Sequence, residues 1–220
     1  MESKDVKKVR ATKILRELKK NYPKQPNLFL NHKTSAQMLC AIILSAQSTD
    51  AQINKLTAKL FVKYKTVNDF ASAILKTFEK EIYSSGFYKN KAKNIIACFK
   101  KIKTDFNGKI PLKMDELILL PGVGRKTANL VLLNQGIISG IAVDTHVDRL
   151  SKRFGLTKAS TQDKVEKDLM LIYSKRNWVF VNKLFIVHGR AICIARNPNC
   201  SNCFLNAKKL CPRVGVKKSN

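Results

Sequence analysis

An all-α fold is predicted by three observations. Apolar residues recur with the helical period through most of the chain. Ser, Thr or Asp stands where a helix N-cap is needed ahead of several of these runs. The one stretch that could pass for a strand, residues 137–143, has no second strand to pair with. With 220 residues, 45% of them hydrophobic, the chain is globular. It can bury roughly 70% of its unfolded surface, in one large domain or two small ones.

The elements follow in order. Val6, Ile14, Leu15 and Leu18 mark a first helix that ends before Pro23 and Pro26. Thr34 or Ser35 caps a second, whose run Met38–Leu44 is apolar all round and therefore central and buried. Thr49-Asp50 caps a third, with Ile53, Leu56, Leu60 and Phe61 inward. Short helices are expected over 68–76 and 78–83, before a turn at Gly86, and a longer one over 89–105. Asn107-Gly108 and Pro111 stop it. Residues 113–119 and 125–133 flank a glycine hairpin. Asp144 caps a helix running to about Phe154, and two more cover 162–173 and 178–193. Beyond Asn197-Pro198 the chain is expected to be loop. No repeat or low-complexity linker interrupts this order. Cys40 and Cys98 fall in apolar helical runs and read as small buried hydrophobes.

The charge balance is strongly basic: 42 Lys+Arg against 15 Asp+Glu, a net +27. It is spread from Lys4 to Lys218, so it is no mere tail. Such a field attracts polyanions and makes binding salt-sensitive. A Lys-rich composition is the blander explanation. The first residues are polar and form no signal-peptide core, and no apolar run approaches the ~18 residues of a spanning helix. No membrane partner is expected, and a reducing, cytoplasmic setting is.

Cys193, Cys200, Cys203 and Cys211 form C-x6-C-x2-C-x7-C within a polar, basic segment. Four thiols this close in sequence point to a shared metal centre, which a short loop can wrap with little regular structure. Zinc and iron–sulfur are both open on spacing alone. Two disulfides would need an oxidising compartment.

Leu120-Pro121-Gly122-Val123-Gly124-Arg125-Lys126 joins two short helices. Gly122 and Gly124 allow a tight turn, and around Val123 and Arg125 backbone N–H groups can approach a phosphate at the helix N-terminus. Lys126 is either a phosphate-contacting cation or a nucleophile. The helix N-terminus and neighbouring Arg125 both disfavour an ammonium, and partial burial would add to this. Asp144, in Val143-Asp-Thr-His-Val-Asp-Arg149, can cap its helix, act as a carboxylate in the chemistry, or both. His146 is either a surface or capping residue or a direct participant, in contact with DNA.

Together these residues resemble the endonuclease III family of helix-hairpin-helix DNA glycosylases. The resemblance rests on Leu44–Asp50, Gly86–Ala92, Leu120–Leu133, Val143–Arg149, Val187-His-Gly-Arg190 and the cysteine cluster, in that order. It runs from about Lys13 to Pro212. It implies two helical lobes with DNA across the cleft between them. Residues 28–138 would form a six-helix lobe with the hairpin, and residues 1–27 plus 139–220 the cluster lobe. It also implies excision of oxidised pyrimidines from duplex DNA and cleavage of the abasic site. By resemblance Lys126 is the Schiff-base nucleophile, Asp144 assists base loss, and the four cysteines ligate a [4Fe–4S] cluster. Gln47 fills the gap left by the flipped nucleotide, and Phe87 is the wedge beside it. The last cysteine spacing is x7 where the family commonly has x5, and the wedge is Phe where it is usually Leu. Arg196 and Lys208 in the cluster segment are expected on the DNA backbone, and the enzyme is expected to act as a monomer.

Three other readings compete. A monofunctional adenine-mismatch glycosylase would usually lack a lysine at 126 and carry a further domain. A non-enzymatic DNA-binding module would use the hairpin with four-cysteine zinc. A redox-signalling protein would have no use for Lys126 and Asp144.

Overall fold

The computed structural model describes residues 2–24 and 30–216. The expected helix stop at Pro26 and the expected lobe boundary at 27/28 lie outside those residues. Twelve α-helices occur among the described residues: α1 (Lys4–Asn21), α2 (Ser35–Leu44), α3 (Asp50–Lys63), α4 (Val67–Ala71), α5 (Leu75–Glu81), α6 (Tyr88–Asp105), α7 (Met114–Leu117), α8 (Arg125–Asn134), α9 (Thr145–Arg153), α10 (Gln162–Ile172), α11 (Trp178–Ala191) and α12 (Phe204–Ala207). No strand occurs among them, and no helix is long and apolar enough to cross a membrane. The chain divides into two compact units, Leu28–Ser139 and Met1–Asn27 with Gly140–Asn220.

The Leu28–Ser139 unit is built on α2, whose residues from Ala36 to Leu44 are all buried. Helices α3, α6 and α8 cover it. Caps set the helix starts: Thr34 accepts from Gln37 N–H and Thr49 from Gln52 N–H, each satisfying an N–H that the helix itself leaves free. At one end an aromatic cluster fills the core. Phe70 stacks on Phe99 with ring centres 4.5 Å apart, and Tyr64 stacks on Phe70 at 5.3 Å. Cys40 and Cys98 are fully buried here, as expected, and burial pushes the Cys98 thiol up to about 12.

In the second unit α1 lies against α10, α11 and α12, and α9 packs on α11. Ile14, Leu18, Val147, Leu150, Phe154, Val165, Leu169, Leu184 and Phe185 form its core. Arg10 of α1 donates to Phe154 O at 2.6 Å and Leu210 O at 3.2 Å, tying α1 to the C-terminal segment.

Three expectations are corrected. The helices expected over 68–76 and 78–83 are instead divided at 72–74, because a Thr66/Asp69 capping box starts α4 early and Ser72 ends it through its hydroxyl bond to Asn68 O. The first hairpin helix is a single turn. Residues 204–207, expected as loop, form α12. The apolar stretch at 137–143 forms no strand. Ile141, Ala142 and Val143 are buried, and Asn182 Nδ2 rather than a strand satisfies Ala142 O, at 2.5 Å.

Candidate functional site

Pro121 and Gly122 make the hairpin turn. Val123 N–H donates to Leu120 O at 3.1 Å, and Gly122 has φ +77°, the signature of a type II turn with Pro at its second position. A Cβ on Gly122 would stand 2.9 Å from Asn94 Cβ on α6, so glycine serves both the turn and the close approach. The Val123 side chain is buried and its N–H is used inside the turn. What the hairpin can offer an anion is therefore the start of α8. Gly124 is its N-cap and brings no side chain to bond the first N–H groups. Arg125 is half-buried there.

Lys126 is the second residue of α8. It is exposed, so the partial burial considered from the sequence does not occur. It makes no hydrogen bond or ion pair among the described residues.

Asp144 is half-buried in the other unit and caps α9. Its Oδ1 accepts from His146 N–H at 2.9 Å and Val147 N–H at 2.8 Å. Both bonds fall on Oδ1, leaving Oδ2 outside the cap. His146 Nδ1 accepts from Arg149 at 3.1 Å. Burial lowers its proton affinity, Asp144 opposes that shift, and Arg149 and Arg190 add to it. A Cβ on Gly189 of α11 would stand 2.9 Å from His146 Nδ1 and 3.1 Å from Arg149, so the glycine of His188-Gly-Arg190 lets α9 and α11 approach at this point.

Gln47 and Phe87 both lie in the Leu28–Ser139 unit. Both are exposed, Phe87 by 68%, and both are left-handed, with φ 57° and 48°. For residues with a side chain that conformation costs of order 1–3 kcal/mol each and persists only where the surroundings impose it.

Cys193, Cys200, Cys203 and Cys211 line one cavity with Arg153, Phe154 and His188. All four are free thiols, so they form no disulfides. Arg153 reaches Cys193 Sγ at 3.3 Å, Ile194 O at 2.7 Å and Ala195 O at 2.8 Å. Arg149 donates to Gly189 O and Cys193 O, each at 3.0 Å. His188 is fully buried, with Nε2 3.6 Å from Cys203 Sγ and Nδ1 2.9 Å from Tyr22 Oη. Burial pushes the Cys211 thiol up to about 11. No three His, Cys, Asp or Glu side chains among the described residues close on a point that would hold a single metal ion. A four-sulfur zinc site would bring its ligands to ~2.3 Å from one ion. Four thiols around one cavity, flanked by a guanidinium, are a donor set that zinc and iron–sulfur groups both take.

Arg196 is exposed, with no partner among the described residues. Lys208, expected on DNA, is engaged within its own unit. Its Nζ lies 2.6 Å from Glu17 Oε2 on α1, and that bond holds the Glu17 carboxyl below its ordinary range.

Comparison with known proteins identifies the family. Residues 40–175 match the family described as HhH-GPD superfamily base excision DNA repair protein. Endonuclease III of Synechocystis sp. is 48% identical over 207 residues, covering 94% of this chain and 93% of that protein. This chain is a member of the endonuclease III family. Among solved structures, an endonuclease III in a non-covalent complex with DNA matches with a TM-score of 0.86 at 40% identity, over 94% of this chain and 95% of that one. An endonuclease III trapped as a covalent intermediate with DNA matches with a TM-score of 0.87 at 40% identity, over 94% and 96%. Sequence reasoning missed Lys91, Arg149, Arg153 and Glu17. Arg149 and Arg153 had a signal, two arginines spaced to share one face of α9. Lys91 had none, since one lysine among so many suggests a solvated charge.

Proposed function

We propose that this endonuclease III family member excises oxidised pyrimidines from duplex DNA and then cuts the strand 3′ to the abasic site. Lys126 is the nucleophile. As its amine forms a bond to C1′ of the flipped nucleoside, the N-glycosidic bond breaks and the bonding pair leaves with the base. Asp144 stabilises the positive charge that develops on the sugar. Ring opening then yields an imine to Lys126. The imine acidifies C2′, and loss of that proton expels the 3′ phosphate, which is β-elimination. Hydrolysis of the imine frees the lysine. The observation that carries this reading is an exposed lysine, without a partner among the described residues, in the first turn of a helix whose N-terminus has no side-chain cap.

Gly124 and Arg125 at the start of α8 hold a backbone phosphate, while Gly122 and Val123 shape the turn. Gln47 and Phe87 enter the duplex where the nucleotide leaves it, offsetting part of the unstacking cost. Cys193, Cys200, Cys203 and Cys211 are the ligands of a [4Fe–4S] cluster, which when bound cross-links the segment that carries Arg196. Work on duplex DNA implies a nucleoid-associated, cytoplasmic location in a bacterial cell.

Borohydride trapping on an abasic-site duplex tests the chemistry. The wild type should give a covalent adduct and Lys126→Ala none. An adduct of undiminished yield from Lys126→Ala would show that another amine attacks. Visible absorption tests the cluster, because zinc on the same four ligands is colourless.

A further inference from the structure

Lys91 on α6 is a lysine turned inward, only 7% exposed. Its ammonium has three N–H groups, and three acceptors meet them: Leu44 O at 2.7 Å, Ser85 O at 2.7 Å and Ser48 Oγ at 3.2 Å. Ser48 Oγ in turn donates to Ser85 O at 2.5 Å. A second link joins the same two regions, Gln52 Nε2 donating to Ser84 O. The C-terminal end of α2, the loop after it and the turn before α6 are thus joined at one buried nitrogen. None of the three acceptors is an acid, and burial lowers the lysine's proton affinity. A buried cation without a carboxylate is unfavourable as such. What it provides is three donors diverging from one point.

Two of the six left-handed non-glycine residues among those described stand next to these anchors. Gln47 directly precedes Ser48, and Phe87 follows Ser85-Gly86. Exposed residues in that conformation relax unless their neighbours are held. We infer that Lys91 is a positioning residue that locks these two loops into one rigid, two-pronged element, so that Gln47 and Phe87 enter the duplex together. This deepens the reading of those two residues given above and rests on it. A prong held in advance loses less freedom on insertion than a mobile one.

A double-mutant cycle separates this role from plain structural support. The probe is an abasic-site duplex with 2-aminopurine beside the lesion. Its fluorescence reports unstacking, and borohydride trapping on the same duplex reports the chemistry. Lys91→Met should lower the fluorescence rise and slow trapping roughly tenfold to a hundredfold, the scale of a small misplacement of positioning groups. In a Gln47→Ala/Phe87→Ala background the same change should add less than about twofold, because residues acting as one unit are not additive. Additive losses, or no loss in the wild-type background, would overturn the proposal. Ser48→Ala removes one acceptor and keeps the lysine. It should give a smaller, equally non-additive loss, and it carries the test if Lys91→Met fails to fold. A wild type that gives no adduct would remove the glycosylase–lyase reading itself. Additivity in an active wild type would remove the role of Lys91 alone.

Discussion

Asp144 caps α9 and, on the function proposed above, also serves the chemistry. Its cap uses Oδ1 alone. An amide keeps that oxygen, so Asp144→Asn should retain α9 and the melting temperature within a few degrees. It should slow base removal by orders of magnitude, because a neutral amide cannot balance charge on the sugar. Single-turnover excision beside thermal melting checks both, and an unslowed rate would remove Asp144 from the mechanism. His146 gives a pH prediction. Its folded proton affinity lies below the ordinary value, so the unfolded chain takes up the proton first as pH falls. The stability this residue contributes is in place above its unfolded pKa of about 6.5 and is lost as pH drops below it. His146→Gln should therefore melt with a shallower decline from pH 7.5 to 5.5 than the wild type. Parallel curves would refute the assignment.

At the scale of the element, the hairpin rests on one glycine. Gly122→Ala meets both a positive φ and a Cβ 2.9 Å from Asn94 Cβ. The expected cost is about 1–3 kcal/mol, and a domain this size loses ~2–4 °C of melting temperature per kcal/mol. Phosphate anchoring should fall with it, since α8 would start from a displaced turn. Gly124→Ala meets nothing within 4 Å and no positive φ, so it separates a steric cause from a general intolerance of alanine in this loop. Equal melting of both variants would mean that Asn94 gives way freely. The cysteine segment is the contrasting element. It has few apolar anchors of its own, and α9 holds it through Arg149 and Arg153, on carbonyls that no regular ladder satisfies.

For the whole molecule, a net charge of +27 makes DNA affinity steeply salt-dependent. The structure divides two residues that looked equivalent. Arg196 is exposed and without a partner among the described residues, so Arg196→Ala should lower the salt slope by roughly one unit at all sequences. Lys208 is paired with Glu17, so Lys208→Ala should change the slope less. It should instead cost a little stability, as the loss of a partly exposed pair does. Affinity titrations at several salt concentrations read both, and equal slopes for the two variants would show that the Lys208–Glu17 pair opens on DNA.

The helices, their caps and the two fully buried cysteines were legible in the sequence because local periodicity and cap chemistry determine them. Thr34, Thr49 and Asp144 all cap where expected. So was the pattern that marks the site: the glycine turn, Lys126, Asp144 and the four clustered cysteines are each set by covalent neighbours. Three features were decided by tertiary structure. The exposure of Lys126, the pairing of Lys208 with a glutamate of α1, and the burial of Lys91 under two loops all depend on segments far apart in the chain. A lysine in a sequence carries no mark of which acceptors folding will bring to it. Only packing distinguishes the solvated ammonium from the paired one and from the one that holds two loops together.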